Sequence, residues 1–234
     1  LLFDCGMIQG SPEAEARNAD AFPFEPSALD ALIVSHAHID HIGRIPLLVQ
    51  RGFEGPIYAQ TATADLMSVM LLDAAGIAEG DAMRANRHRR HGQPEAVPLY
   101  TKDDVRVAMQ RVEPIPYDTR TELFPGVEMT FRDAGHILGS CSVELWADGR
   151  KVVFSGDLGP KGTPILRDPA EITEADLVLM ESTYGDRLHR ERAETIHELE
   201  EILDEAWRSG GCVLIPAFAV GRTQDLLHLL VNLY

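Results

Sequence analysis

Short apolar runs, each closed by Gly, Asp or Pro, recur along this chain and alternate with longer segments of helical period. The runs Leu1–Cys5, Leu29–Ser35, Pro56–Ala59, Val127–Phe131, Ser142–Trp146, Lys151–Ser155, Asp176–Met180 and Cys212–Ile215 are rich in Val, Ile, Leu and Phe and predict strands. Between two of them, Ala147-Asp148-Gly149-Arg150 carries the Asp-Gly signal of a tight hairpin. Helices are predicted over Thr61–Ala78, Asp81–Arg90, Lys102–Gln110, Ala193–Arg208 and Gln224–Asn232. The clearest is the fourth, where Ile196, Leu199, Ile202, Leu203, Ala206 and Trp207 form one apolar stripe and Gly210-Gly211 ends it. Gly43–Val49 reads as the start of another helix, and Pro98–Tyr100 and Pro114–Pro116 read as connections. Strands grouped in runs, with helices between and after them, fit an α/β fold of two sheets sandwiched by helices.

The polar residues that break this pattern sit at strand ends. Ser35-His36-Ala37-His38-Ile39-Asp40-His41 follows the buried-strand run Ala31–Val34 and holds three imidazoles and one carboxylate in six consecutive residues. Burying such groups is costly unless something satisfies them, and a divalent metal does, because imidazole nitrogen and carboxylate oxygen are both good ligands. In an extended segment residues two apart face the same side, so His36 and His38 can share one ion. Asp40 and His41 lie where a turn into a helix aims them a few ångströms away. Once distant ligands are added, this spacing suits a pair of ions about 3.5–4 Å apart. Two distant partners stand out. His136 lies in Gly135-His136-Ile137-Leu138-Gly139 after Val127–Phe131, and Asp157 lies in Gly156-Asp157-Leu158-Gly159 after Lys151–Ser155. Each follows a predicted strand, and a carboxylate at Asp157 has two oxygens with which to bridge two cations.

These residues carry a resemblance. The chain resembles the metallo-β-lactamase fold and, within it, the β-CASP branch of RNA-processing nucleases. The His-x-His-x-Asp-His signature is matched by His36, His38, Asp40 and His41; the next ligand position by His136; and the bridging carboxylate by Asp157. Leu1-Leu2-Phe3-Asp4-Cys5-Gly6 is similar to the family's early strand motif, which places Asp4 behind the ligands, orienting one of the histidines. More specific are Glu181-Ser182-Thr183-Tyr184-Gly185-Asp186-Arg187 and Ile215-Pro216-Ala217-Phe218-Ala219-Val220-Gly221-Arg222-Thr223-Gln224, which resemble the entry into the β-CASP cap.

The resemblance implies a four-layer αββα sandwich, with an incomplete catalytic core over residues 1–183 and the start of a cap over 184–234. It implies zinc-dependent hydrolysis of RNA phosphodiesters in the parent protein, with two zinc ions in the complete chain. His36, His38 and His136 would hold the first, Asp40 and His41 the second, and Asp157 both. Asp40, Asp157 and Glu181 are the expected catalytic carboxylates, Glu181 acting on a leaving-group acid supplied from beyond Tyr234. A hairpin before Leu1, the rest of the cap and two further histidines are expected in that parent, so activity belongs to the whole protein. Two alternatives remain: hydrolysis of another ester or a thioester on the same fold, and a non-catalytic scaffold role in an RNA-processing complex.

Composition changes the picture in one respect. The formal net charge of −16 argues against a broad, non-specific RNA-binding surface; bound cations would offset it locally. The only basic cluster, Arg84–His91, reads as a solvated helix face, and its His88 and His91 are not ligand candidates; His189 follows the Tyr-Gly motif and is expected near the cleft, whereas His197 and His228 read as surface positions. Cys5, Cys141 and Cys212 are widely spaced and fit free thiols in a reducing cytoplasm. RNA is the implied partner, no membrane is implied, and a homodimer is an oligomeric state compatible with this reading.

Overall fold

Each strand of the computed structural model, which describes residues 1–233, is paired into one of two sheets. The first has the order β1-β2-β3-β4, built from β1 (Leu2–Phe3), β2 (Leu32–Val34), β3 (Ile57–Gln60) and β4 (Val112–Ile115), all parallel. Parallel neighbours need crossover connections. These are supplied by α1 (Pro12–Ala16), then α2 (Ile39–Ile42) and α3 (Ile45–Gln50), then α4 (Thr61–Arg87) and α5 (Lys102–Met109). The second sheet has the order β5-β6-β7-β8-β9, from β5 (Thr121–Phe124), β6 (Val127–Asp133), β7 (Cys141–Ala147), β8 (Arg150–Phe154) and β9 (Leu177–Leu179). It is antiparallel except for the β8–β9 pair.

Alternation along the first sheet divides the core. Leu32, Val34, Ile57 and Ala59 face Leu47, Leu48, Met67, Leu71 and Val105 of the helices. Ala31, Ile33, Tyr58 and Ile115 pack instead against Met129, Phe131, Val143 and Leu145 of the second sheet. The expected layering of helices and two sheets is thus present, and the contact between sheets is apolar, mixing aliphatic side chains with the rings of Tyr58 and Phe131. Each fully buried Leu, Ile or Phe there contributes about 1.5–3 kcal/mol.

Several elements differ from their sequence expectation. Residues 114–116 were expected in a connection, yet β4 carries Pro114 opposite Ala59. A proline is tolerated because β4 is the sheet's edge and needs no donor on its open side. β5 was not anticipated; it is a second edge strand, with an irregular register between Glu122 and Phe124. Cys212–Ile215 forms no strand, although it has the composition of one: among the described residues nothing pairs with it, and an unpaired run leaves its backbone groups to water. The Asp148-Gly149 hairpin forms as its sequence requires, with both residues at positive φ (51° and 70°) and Ala147 opposite Arg150.

The largest correction concerns α4. The sequence predicts two helices divided near Gly80, but one helix of 27 residues runs through it. A glycine costs a helix only about 1 kcal/mol relative to Ala. Burial of Ala64, Met67, Leu71 and Ala75 along one face outweighs that cost. α4 is also the one helix among the described residues long and apolar enough to cross a membrane, but this buried face belongs to the core. A Cβ at Gly80 would meet only Arg84 Nη1 at 3.6 Å, an ordinary contact. Gly80→Ala is therefore expected to stabilise the chain by about 0.5–1 kcal/mol, seen as a higher denaturant midpoint at unchanged slope. A lower midpoint would show that the helix does not run unbroken through this position.

Strands β1–β9 and helices α1–α5 belong to one compact unit, Leu1–Gly162 with Leu166–Met180; Thr163–Ile165 and the residues from Glu181 onward form a second. The second unit contains α6 (Arg192–Ser209) and α7 (Arg222–Leu233). Gly210 ends α6 in the left-handed conformation, and the Gly211 N–H donates back to Ala206 O at 2.8 Å. The Gly221–Gln224 stretch caps α7: Thr223 Oγ1 donates to Phe218 O (2.6 Å), Gln224 Nε2 to Ala219 O (3.0 Å), and the Gly221 N–H to Gln224 Oε1 (2.7 Å).

Candidate metal centre

Three chain segments meet at one end of the two sheets. His36 and His38 follow β2, with Asp40 and His41 on the short α2; His136 lies in the turn between β6 and β7; Asp157 follows β8. Backbone bonds lock the segments together. The Cys141 N–H donates to Ser35 O at 2.8 Å, and the Gly159 N–H to Ala134 O at 2.8 Å. Close approach here excludes side chains: a Cβ at Gly159 would lie 1.7 Å from Gly135 O, and one at Gly6 would lie 1.5 Å from Asp40 O. The 134–140 turn is braced from three sides. Thr63 Oγ1 at the start of α4 donates to Gly139 O (2.7 Å), Tyr117 Oη donates to Ser140 O (2.8 Å), and Ser140 Oγ accepts from the His136 N–H (3.0 Å). Burial, and then Asp133 nearby, raise the Tyr117 pKa, so its phenol keeps the proton it donates.

The imidazoles converge by their ring nitrogens. His36 Nε2 lies 3.0 Å from His38 Nδ1, and His136 Nε2 lies 3.2 Å from that same His38 atom. Bonds of about 2.0–2.1 Å in a tetrahedral arrangement place ligand nitrogens about 3.3 Å apart, close to the spacing seen. Asp157 faces the same point, its Oδ2 3.9 Å from His36 Nε2 and 3.7 Å from His136 Nε2. Its other oxygen, Oδ1, lies 3.4 Å from His41 Nε2. Two groups of ligand atoms result: His36, His38 and His136, and His36, His41 and Asp157. Asp40 lies at the rim, with Oδ2 3.8 Å from His41 Nε2 and half its side chain exposed. Neither Asp40 nor Glu181, which belongs to the second unit, is in either group.

Protonation is set from behind. Asp4 sits at φ 55°, a left-handed position that Asp tolerates better than most residues. Its Oδ1 accepts from the Ser35 N–H (2.7 Å), and its Oδ2 from Ser35 Oγ (2.7 Å) and from His41 Nδ1 (2.7 Å). The Asp4 bond places a proton on His41 Nδ1 and leaves Nε2 as the ring atom facing Asp157. The Ser35 hydroxyl, having given its hydrogen to Asp4, accepts from His36 Nδ1 at 3.0 Å, which frees His36 Nε2 in the same way. Burial pulls the His36 pKa far down, helped by His41, His136 and His38 around it, so that ring is neutral. For His41 burial also lowers the pKa, but the Asp4 hydrogen bond and the carboxylates of Asp4, Asp157 and Asp40 together raise it. Burial pushes the Cys5 thiol up to about 12, so Cys5 beside Asp4 is not a thiolate.

Ser35 is the participant that sequence reasoning overlooked. Its one signal was position, a hydroxyl at the last step of a buried strand directly before His36. The donor set fits a divalent cation: imidazole nitrogens and a carboxylate pointed at common centres, with the second nitrogen of His36 and of His41 tied by a hydrogen bond. Lone pairs of three rings facing one another repel unless a proton or a cation lies between them.

Comparison with known proteins agrees with this geometry. Residues 1–209 match the Metallo-beta-lactamase superfamily. Ribonuclease TTHA0252 of Thermus thermophilus is 41% identical over 230 residues, covering 98% of this chain and 49% of that protein. Transcription termination factor FttA of Methanocaldococcus jannaschii is 34% identical over 240 residues, covering all of this chain and 36% of that protein. An RNase J-like protein of the same organism is 33% identical over 237 residues, covering 49% of its own length. The chain thus spans about half, or less, of the curated relatives it matches. With its paired sheets, its histidine cluster and these similarities, the chain belongs to the metallo-β-lactamase superfamily, in the β-CASP branch.

Proposed function

We propose that the complete protein is a zinc-dependent ribonuclease that hydrolyses RNA phosphodiester bonds. The observation that carries this reading is the convergence of His36 Nε2, His38 Nδ1 and His136 Nε2 beside Asp157, in a chain similar to proteins named ribonucleases. His36, His38 and His136 would hold one ion, His41 and Asp40 a second, and Asp157 would reach both. Zinc is favoured over harder cations because imidazole nitrogen dominates the donor set. When bound, such ions supply Lewis acidity toward a phosphoryl oxygen and lower the pKa of water to about 7.

The chain's own residues do the rest. Asp4 holds the proton on His41 Nδ1, and Ser35 holds the one on His36 Nδ1, so both rings turn Nε2 to the centre. Asp157, partly exposed, sits where the centre meets solvent, and the exposed Asp40 lies beside it. The fully buried His36 ring lies deepest in the cluster, and Asp157 and Asp40 lie on its solvent side. We further propose that the second unit begins a cap domain in which Glu181 supports proton delivery to the leaving group. Free Cys5, Cys141 and Cys212 support a reducing, cytoplasmic setting.

Turnover of labelled RNA by the complete, zinc-loaded protein, set beside a panel of thioesters and carboxylic esters, tests the proposal. RNA cleavage that a chelator removes and zinc restores is the expected result. Hydrolysis of a thioester with intact RNA would assign the centre to the other chemistry. Absence of any turnover together with stoichiometric RNA binding would favour a scaffold.

A further inference from the structure

In a chain of net charge −16, residues 82–94 contain Arg84, Arg87, Arg89 and Arg90 with His88 and His91, and no acidic residue. The cluster occupies the carboxyl end of α4, which ends at Arg87 with His88 as its cap. A helix dipole accounts for cations in the last turn, here Arg84 and Arg87. It does not account for Arg89 and Arg90, which lie past the cap. Arg84 is paired with Asp81. Among the described residues Arg87, Arg89 and Arg90 form no ion pair, and all three are exposed. The segment is nevertheless built. Asn86 clamps the returning chain by donating Nδ2 to Ala96 O (2.8 Å) and accepting the Ala96 N–H on Oδ1 (2.9 Å). The Arg90 N–H donates to Gln93 Oε1 at 3.0 Å.

What gives the cluster a direction is the continuity of α4. Its first turn holds the metal-centre turn through Thr63 Oγ1 and Gly139 O, and its last turn carries the arginines. Thr63 and Arg87 are joined by unbroken helix, so the two ends are about 36 Å apart at about 1.5 Å per residue. Core packing fixes the front half of the helix against the first sheet, so that separation is a rigid feature of the fold.

We propose that the end of α4 is a distal site for the RNA phosphate backbone, in which Arg87, Arg89 and Arg90 hold a strand whose reacting phosphodiester lies at the histidine cluster. The inference deepens the ribonuclease reading and rests on it. Arg89 Nη1 donates to Gln93 O (3.2 Å), but none of the three guanidinium charges is matched by a carboxylate among the described residues, and guanidinium matches phosphate by charge and by paired N–H geometry. In an otherwise acidic protein they are positioned to hold a polyanion at one place without binding it everywhere. A stacked strand with a phosphate about every 3.4 Å needs about ten nucleotides to bridge the distance, an extended one fewer. The site therefore acts on long RNA and is out of reach for very short RNA.

The test is equilibrium binding of non-cleavable RNA of 4 and 20 nucleotides to the complete protein in chelator, across a salt series, for the wild type and for R87Q/R89Q/R90Q. The variant is expected to bind the 20-mer at least about tenfold more weakly at low salt. Its log–log salt slope should be shallower by about 2, at about 0.7 per lost phosphate contact. The absolute loss of affinity should be larger for the 20-mer than for the 4-mer, and the thermal midpoint should be unchanged. Charge reversal in R89E/R90E should deepen the loss for the 20-mer. Equal 20-mer affinity and slope in wild type and variants overturns the inference. So does a variant that keeps RNA binding but loses binding to phosphatidylserine vesicles, which would make the patch a membrane contact. Because binding is read without metal, failure of the ribonuclease proposal would show separately, as a wild type that binds RNA and never cleaves it.

Discussion

His38→Ala, made in the complete protein, is expected to lower RNA hydrolysis by at least about a thousandfold while leaving the fold formed. His38 Nδ1 is the atom that both other rings of its group approach, at 3.0 Å for His36 and 3.2 Å for His136. Removing it leaves two imidazoles where tetrahedral chemistry needs three protein ligands and an open position. Metal electrostatics supply several kcal/mol of transition-state stabilisation, and a loss of about 4 kcal/mol is about a thousandfold in rate. The fold survives because the His38 side chain is partly solvated and belongs to neither hydrophobic core. Asp157→Ala should behave in the same way, since its two oxygens face His36 and His136 on one side and His41 on the other. Steady-state turnover and metal content measured on the same preparations decide the matter. Cleavage near the wild-type rate by either variant, or a full metal complement in both, would end the assignment of these side chains as ligands.

Asp4→Asn is expected to weaken metal binding by about 10–100-fold, the range typical when a group that orients a ligand histidine is altered. The substitution keeps shape and removes charge. An amide oxygen can accept only part of what the carboxylate accepts from Ser35 and His41, and the amide N–H₂ turned toward His41 favours the ring with its proton on Nε2. That proton would sit on the ring atom facing Asp157. Asp4→Ala removes the acceptors altogether and should also cost about 1–3 kcal/mol of stability, by leaving the Ser35 N–H without its partner. Competition against a chromophoric chelator measures the affinity, and a denaturant titration of the metal-free protein separates the two variants. The role assigned to Asp4 fails if the Asn variant binds metal as the wild type does.

The sequence was most informative where chemistry is local. His36, His38, Asp40 and His41 announce themselves because several ligand types follow a buried strand within one short segment, and burial of His36 there is costly unless something satisfies it. The hairpin at Asp148-Gly149 is equally local, since the conformations it needs are intrinsic to those residues. Elements defined by a partner were less legible. Cys212–Ile215 has strand composition and no strand beside it, whereas Val112–Ile115 contains a proline and is a strand, because β3 offers it one edge. In α4 the local signal of Gly80 was outweighed by core contacts made by Met67, Leu71 and Ala75.

The linear chain by itself put forward His36, His38, Asp40, His41, His136 and Asp157 as candidate ligands, each a residue type chosen at a strand end, and through its resemblance it supplied the family and the place of Asp4 behind them. Only the tertiary structure decided which of them face one another. Packing of the two sheets brings the end of β2 against the start of β7. Glycines admit the remaining turns to near contact, and in that space Ser35 becomes the hydroxyl linking Asp4 to His36. Convergence of this kind comes from burying aliphatic surface far from the ligands, a long-range effect that no short segment of sequence encodes.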